Sequence, residues 1–271
     1  AAIQLEGEDA WLKSTNSLVS KADNGSCHVT PSSHVKTLLN YIGSTNWQAP
    51  GESIVWVVDV KESGYYKFGV NYKQSAIIDG MTYRSLKIDG EIPFKECKSI
   101  AFDYCTSWTF YEFGTGGKNS QPYLFYLPAG KHTMELSVTL GETSQFYTRL
   151  SKIVEVIGDT YIDIVMITTD SPDPNRDYNL FKQIPGFLDT MKGVYDDLTV
   201  LANDMSVLSG DRSNKYISAL KNMARVAKNM YDNPYTAQNY LSDFYSNYTT
   251  VCSWLYEMKT MPLSVDQFQF A

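Results

Sequence analysis

Pro262-Leu263-Ser264-Val265-Asp266-Gln267-Phe268-Gln269-Phe270 reads as a strand, although it follows a long stretch of helical periodicity. Phe268 and Phe270 fall on one face, whereas Val265 alternates poorly with its neighbours. Upstream, four apolar stripes run at spacings of three and four. The first joins Phe146, Leu150, Ile153, Ile157, Tyr161 and Ile164. It stops at Ser171-Pro172-Asp173-Pro174-Asn175, because proline removes a ladder donor and restrains the residue before it. The second runs Ile184, Leu188, Met191, Tyr195, Leu198, Leu201, Met205 and Leu208, with Ser209-Gly210 as its C-cap. The third joins Ile217, Leu220, Ala224, Ala227 and Tyr231 and stops at Asp232-Asn233-Pro234. The fourth joins Ala237, Leu241, Phe244, Tyr248, Val251 and Leu255. Four amphipathic helices with short connections predict an antiparallel bundle. An even number of antiparallel helices returns the chain to where it left, so the strand at 262–270 can complete a sheet begun before the helices.

Before residue 140 strand signals dominate. Ile54-Val55-Trp56-Val57-Val58-Asp59-Val60 is a β-branched run, and Tyr65-Tyr66-Lys67-Phe68-Gly69-Val70-Asn71-Tyr72 follows Ser63-Gly64 at hairpin distance. Ser85 to Phe94 reads as a strand, an Asp89-Gly90 turn and a short return. Tyr123-Leu124-Phe125-Tyr126-Leu127 and His132 to Val138 flank a Pro-Ala-Gly-Lys turn. Short strands separated by turns predict an antiparallel β-sandwich or jelly roll. The expected fold is α+β: a sandwich over 1–140 plus 262–271, with a four-helix bundle inserted at 141–261. A simple string of two domains is the competing arrangement.

The 271 residues are 43% apolar, enough for a substantial core, and no run is long enough to span a membrane. The balance of 23 basic against 30 acidic residues argues against nucleic-acid binding, which needs a dense basic face. Cys27, Cys97, Cys105 and Cys252 form no C-x-x-C pair, which disfavours a zinc ribbon or a thioredoxin-type centre. Cys97 and Cys105 are close enough in sequence to bridge a hairpin, but free, mostly buried thiols are the simpler expectation.

The motifs of catalysis are missing. There is no G-x-S-x-G, and His28, His34 and His132 have no context linking them to a nucleophile. Gly114-Thr115-Gly116-Gly117-Lys118-Asn119-Ser120 lacks the spacing of a phosphate loop. Acidic residues show no glycosidase pattern. Calcium is the best-supported metal, since it takes carboxylate oxygens from several segments. Glu6 and Glu8 would share a face of an extended strand, and Asp266 would join them if the closing strand pairs beside that edge. Sugar recognition needs exposed aromatic faces with polar neighbours. Trp47 lies in a loop-like stretch, and Trp108, Tyr111 and Asn119 lie in a segment, Tyr104 to Asn119, that reads as an insertion between strands. These four are the candidate carbohydrate-binding residues.

The opening Leu5-Glu6-Gly7-Glu8-Asp9-Ala10 resembles the start of β-sandwich carbohydrate-binding modules of family 35, whose fold is galactose-binding-like. Ile88 to Phe94, Pro122 to Thr133, Ile164 to Thr169 and above all Asp173-Pro174-Asn175-Arg176-Asp177-Tyr178 resemble the N-terminal region of Gram-positive extracellular solute-binding proteins of ABC transporters. In that family the final strand is expected to carry Asp followed by an aromatic, whereas Gln267 follows Asp266 here. The resemblance implies a non-enzymatic, extracellular, cell-surface region that binds a glycan and works with ABC-transporter components. It also implies a structural calcium at Glu6, Glu8 and Asp266. A module that binds no sugar and serves as a spacer or assembly surface is the alternative. An ancillary domain of a glycoside hydrolase is a third reading. Trp47 and Trp108 exposed in one groove would favour the first; both buried would favour the second.

Overall fold

The computed structural model describes residues 3–33, 35–78, 80–115, 120–208 and 215–271. The chain is mixed α+β and divides into two compact units, Ala1–Glu142 with Lys259–Ala271, and Thr143–Met258.

The first unit holds β1 (Ile3–Glu6), β2 (Leu12–Lys13), β3 (Ser20–Lys21), β4 (Tyr41–Ser44), β5 (Ser53–Val60), β6 (Gly64–Gln74), β7 (Met81–Ile88), β8 (Ile100–Asp103), β9 (Cys105–Glu112), β10 (Leu124–Leu127), β11 (Gly130–Thr139) and β12 (Leu263–Phe270). Seven strands form one sheet in the order β10-β6-β12-β4-β3, with β1 paired to β12 and β9 to β6; the other sheet runs β2-β5-β11-β7-β8. All the pairings are antiparallel.

Period-two alternation makes this a sandwich. Ile54, Trp56, Val58 and Val60 of β5 are buried with Phe68, Val70 and Tyr72 of β6 in one core cluster, alongside Leu86, Leu136, Phe125 and Phe268. The hairpin expected between β5 and β6 does not form. The two strands belong to different sheets, and the Ser63-Gly64 turn carries the chain across the core. The Pro128–Lys131 turn does the same between β10 and β11. Both turns join strands that bury apolar faces against each other, which an in-sheet hairpin would not allow.

The Asp89-Gly90 turn does form, with φ of 52° and 84° as a primed turn requires. Its return is a single bridge, Ile88 to Glu91, rather than a strand. Pro93 offers no donor to extend it, and Asp89 is turned towards β11, where its carboxylate accepts from Thr133 N–H at 2.8 Å. The segment 104–119, read as an insertion, contains β9, paired to β6 from Gly69↔Glu112 to Gln74↔Cys105.

The second unit holds α1 (Ser144–Thr168), the short α2 (Leu180–Gln183), α3 (Phe187–Leu208), α4 (Lys215–Asp232) and α5 (Leu241–Glu257). α1 packs on α3 and α5, and α4 packs on the same two, closing a four-helix bundle. Its core takes Leu150, Ile157, Met191, Leu198, Leu220 and Phe244, each from the predicted stripes. The second stripe is interrupted where Pro185 holds Ile184 extended (φ −100°, ψ 113°), so the long helix starts at Phe187. The fourth stripe begins with a 3₁₀ segment, Pro234–Tyr240, before α5. The Ser209-Gly210 cap lies outside the described residues. Among them, no helix is long and apolar enough to cross a membrane. All four cysteines are free thiols, with Cys97 in the sandwich core.

Candidate functional site

The poor alternation at Val265 marks a β-bulge. Opposite β6, Val265 pairs with Tyr72 and Gln267 with Asn71, leaving Asp266 as the extra residue. The bulge turns Asp266 and Gln267 to the same side, the sheet face away from the core. Asp266 Oδ2 accepts from Asn71 Nδ2 at 2.7 Å and Oδ1 from Thr30 N–H at 2.9 Å. Gln267 Nε2 donates to Glu6 Oε1 at 2.8 Å, and Thr30 Oγ1 donates to Glu6 Oε2 at 3.0 Å. Gln269 Nε2 in turn donates to Gln267 Oε1 at 3.1 Å. Where an aromatic was expected after Asp266, Gln267 instead joins an amide relay across β12.

Glu6 and Glu8 do not share a strand face. β1 ends at Glu6, and Gly7 and Glu8 form a turn. Gly7 is pressed against β12: a Cβ there would stand 2.6 Å from Val265 O, and its own carbonyl accepts from Trp56 Nε1 at 2.9 Å. Glu8 is consequently half-buried, and its Oε2 is buried with no hydrogen-bond partner. Burial pushes its carboxyl up to about 7, with the charges of Glu6, Asp9 and Asp266 adding to the effect. Burial likewise pushes Asp266 up to about 6, against the lowering influence of Thr30 and Asn71. Only the orphaned Glu8 oxygen, close to other carboxylates, has the donor chemistry a hard cation takes. Glu6, Glu8 and Asp266 are not a preformed cage. Among the described residues no three acidic, histidine or cysteine side chains converge closely enough to hold a metal.

The aromatic candidates are corrected by their burial. Trp47 is fully buried. Its indole carries the Arg84 guanidinium at 4.1 Å, and its Nε1 donates to Glu52 O at 3.3 Å. Trp108 is 8% exposed, with Tyr41 edge-on at 5.4 Å and its Nε1 donating to Asp23 Oδ2 at 2.9 Å. The segment that covers it is pinned by Asn40, which bonds the backbone of both Asp23 and Pro31. Tyr111 points into the core among Tyr72, Phe102 and Phe113, and burial raises its hydroxyl pKa. Trp47 and Trp108 are buried, and Tyr111 is partly buried against the core. Asn119 and His34 lie outside the described residues. His132 bonds Asp89 at 2.6 Å and Pro128 O at 2.9 Å, which locks the Asp89 turn.

The exposed aromatics stand elsewhere. Because Phe68, Val70 and Tyr72 face the core, Tyr65, Lys67, Gly69, Asn71 and Lys73 line the opposite face of the seven-stranded sheet. Register places Tyr126 beside Tyr65 and Phe110 beside Asn71 on that same face. Tyr65, Tyr126 and Phe110 are 70%, 58% and 51% exposed, and the Tyr65 and Tyr126 rings meet edge to face at 5.3 Å. Sequence reasoning missed all three. The available signal was the alternation itself: Tyr65 and Lys67 fall opposite Phe68, as Phe110 falls opposite Tyr111.

With this geometry in place, the comparisons with known proteins divide along the two units. Residues 145–258 match the family model of the bacterial solute-binding protein 4-helix bundle domain. That span coincides with the helical unit, whose ring of four long helices is what the description calls for. No curated protein matches the chain. Solved structures similar to part of it include a family 35 carbohydrate-binding module from Clostridium thermocellum (16% identity, 51% of this chain, 87% of that chain, TM-score 0.36). A family 35 module from Cellvibrio japonicus is similar over 51% of this chain and 83% of that one, at 18% identity and a TM-score of 0.34. A cycloisomaltooligosaccharide glucanotransferase from Paenibacillus sp. matches at 18% identity and a TM-score of 0.36. That match covers 50% of this chain and 16% of the enzyme. Likeness of this degree speaks to neither ligand nor chemistry.

Proposed function

We propose that this chain is a non-enzymatic, extracellular carbohydrate-binding region of a solute-binding protein serving an ABC sugar importer. The observation that carries the reading is the match of the helical unit to the solute-binding-protein bundle domain. The sandwich that accompanies it supports the carbohydrate part, since it opens with the Glu6-Gly7-Glu8 motif and sets Asp266 beside it on β12. Glycan would be held near the cell surface by ring stacking and hydrogen bonds, and ABC-transporter components would be partners of the parent protein. Calcium held by Glu8, Asp266 and Glu6 would neutralise the buried carboxylates and brace β1 against β12.

A glycan array probed with the folded chain, first with calcium and then with chelator, tests this. Saturable binding to at least one glycan class supports it, and an empty array from protein with a cooperative melt overturns it. The second reading, a spacer or assembly module that binds no sugar, is favoured by the burial of Trp47 and Trp108. It predicts the empty array.

A further inference from the structure

The outer face of the seven-stranded sheet is unevenly covered. At one end the segment around Asp23 to Thr30 lies on it: Trp108 bonds Asp23, Asn71 Nδ2 donates to His28 O at 2.8 Å, and Thr30 bonds both Asp266 and Glu6. Towards the other end the face is open, and Phe110, Tyr65 and Tyr126 stand exposed on it.

Phe110 is built into this face. Its ring lies across Gly69 on the neighbouring strand, so close that a Cβ at residue 69 would stand 2.1 Å from Cζ and within 2.9 Å of both Cε atoms. Only glycine leaves that space. The ring is therefore supported from below by backbone while half of the side chain remains open to solvent. Register sets Gln269 of β12 on one side of Gly69 and Glu112 of β9 on the other. Gln269 is oriented by the relay through Gln267 to Glu6. Four residues along β6, roughly 13 Å at a strand's rise, the Tyr65–Tyr126 pair supplies a second aromatic station, with Lys67 between them.

From this array we infer that the open sheet face, and not the surroundings of the buried Trp47 and Trp108, is the binding surface for a neutral polysaccharide chain. The inference rests on the carbohydrate reading above and assigns its site. A sugar ring presents C–H groups to an aromatic face and hydroxyls to its flanks. Phe110 with Gln269 and Glu112 beside it meets both needs, and the second station suits a ligand longer than one sugar. The charge on the open face is mixed, Lys67 against Glu112, so an anionic polymer finds no basic cluster to dock on. Leu124 also stands exposed beside Lys67, but an apolar protein surface would have to bury Lys67 and Glu112 along with it and the rings, a costly desolvation.

Native affinity gels cast with dextran, mannan, xylan or β-glucan test the site with the whole chain and three variants: Phe110→Ala, Tyr65→Ala/Tyr126→Ala and Phe110→Tyr. The wild type is expected to be retarded by at least one polysaccharide. Phe110→Ala and the double variant should bind at least tenfold more weakly, while Phe110→Tyr keeps most of the retardation and all four show cooperative melts. Retardation unchanged in both alanine variants overturns the site and leaves the carbohydrate reading standing. No retardation of the wild type in any gel overturns both. Sedimentation of the wild type as a dimer that Phe110→Ala splits into monomers would assign the face to a second copy of the chain and overturn the proposal.

Discussion

The guanidinium of Arg84 stacks on the indole of Trp47, 4.1 Å from the ring centre, and both side chains are fully buried. Among the described residues Arg84 has no carboxylate partner at bonding distance. Its Nη1 donates to Tyr83 O at 2.9 Å, and its Nη2 donates to Trp47 O at 3.0 Å and Met261 O at 2.7 Å. Met261 N–H returns a bond to Gln48 O. Arg84 thereby ties the segment that re-enters the sandwich to β7 and to the Trp47 loop. Burial lowers its pKa to about 9, and the ring and three carbonyls partly offset that penalty.

Replacing Arg84 by Met should be severely destabilising even though the volume is nearly kept. Three buried carbonyls lose their donor, and each unsatisfied group costs on the order of 1 kcal/mol or more, for a loss of about 3 kcal/mol. Urea unfolding followed by tryptophan fluorescence measures it. An R84M midpoint equal to that of the wild type would show that the bonds contribute nothing net.

Gly69 makes a separate prediction, because its role is to leave room for the Phe110 ring. Gly69→Ala should push the ring off the sheet, since Cζ would otherwise sit 2.1 Å from the new methyl. Ring displacement is cheaper than backbone movement, so the melting temperature should change little while polysaccharide binding weakens as in Phe110→Ala. Unchanged binding in G69A would mean that the position of the ring over the sheet does not matter.

The carboxylates at the β1–β12 junction set a pH dependence. Glu8 and Asp266 are raised from 4.5 and 3.8 to about 7 and about 6, so the folded state holds protons that the unfolded chain releases. Their contribution to stability is complete below the unfolded values and is lost as pH rises through the folded ones. Without calcium, the melting temperature should therefore fall between about pH 5 and pH 7.5 from these groups. Calcium should restore it at the upper end, and Glu8→Gln should remove most of the slope. A flat profile identical in E8Q, with no response to calcium, would contradict this account of the cluster.

The two units bury separate cores. The sandwich cluster and the helical cluster share no residue. Residues 143–258 expressed alone should accordingly give a helical spectrum and a cooperative melt. A broad, non-cooperative transition would show that the bundle depends on the rest of the chain.

Periodicity made much of this legible. The four stripes supply the bundle core, because a helical face is written locally at spacings of three and four. The strand at 262–270 was readable from Phe268 and Phe270, while the poor alternation at Val265 pointed to no particular feature until the register showed the bulge at Asp266. The sandwich crossings were not readable, since nothing in Ser63-Gly64 states whether the next strand pairs with its predecessor or faces it. The fate of the tryptophans was equally hidden. Trp47 sits in a loop-like sequence, and it packs in the core against Trp56 and against Arg84, 37 residues away in the chain. Phe110 escaped notice because Tyr104 to Asn119 read as an insertion between strands, whereas it contains β9. Its partner, Gly69, lies on another strand.

Isothermal calorimetry of the wild-type chain against the most strongly retarding oligosaccharide, in calcium buffer, tests the central claim most directly. The account predicts a saturable isotherm with one site per chain, reduced at least tenfold in affinity by Phe110→Ala. Absence of saturable heat from a cooperatively folded protein, across neutral oligosaccharides of all four gel polysaccharides, would contradict it.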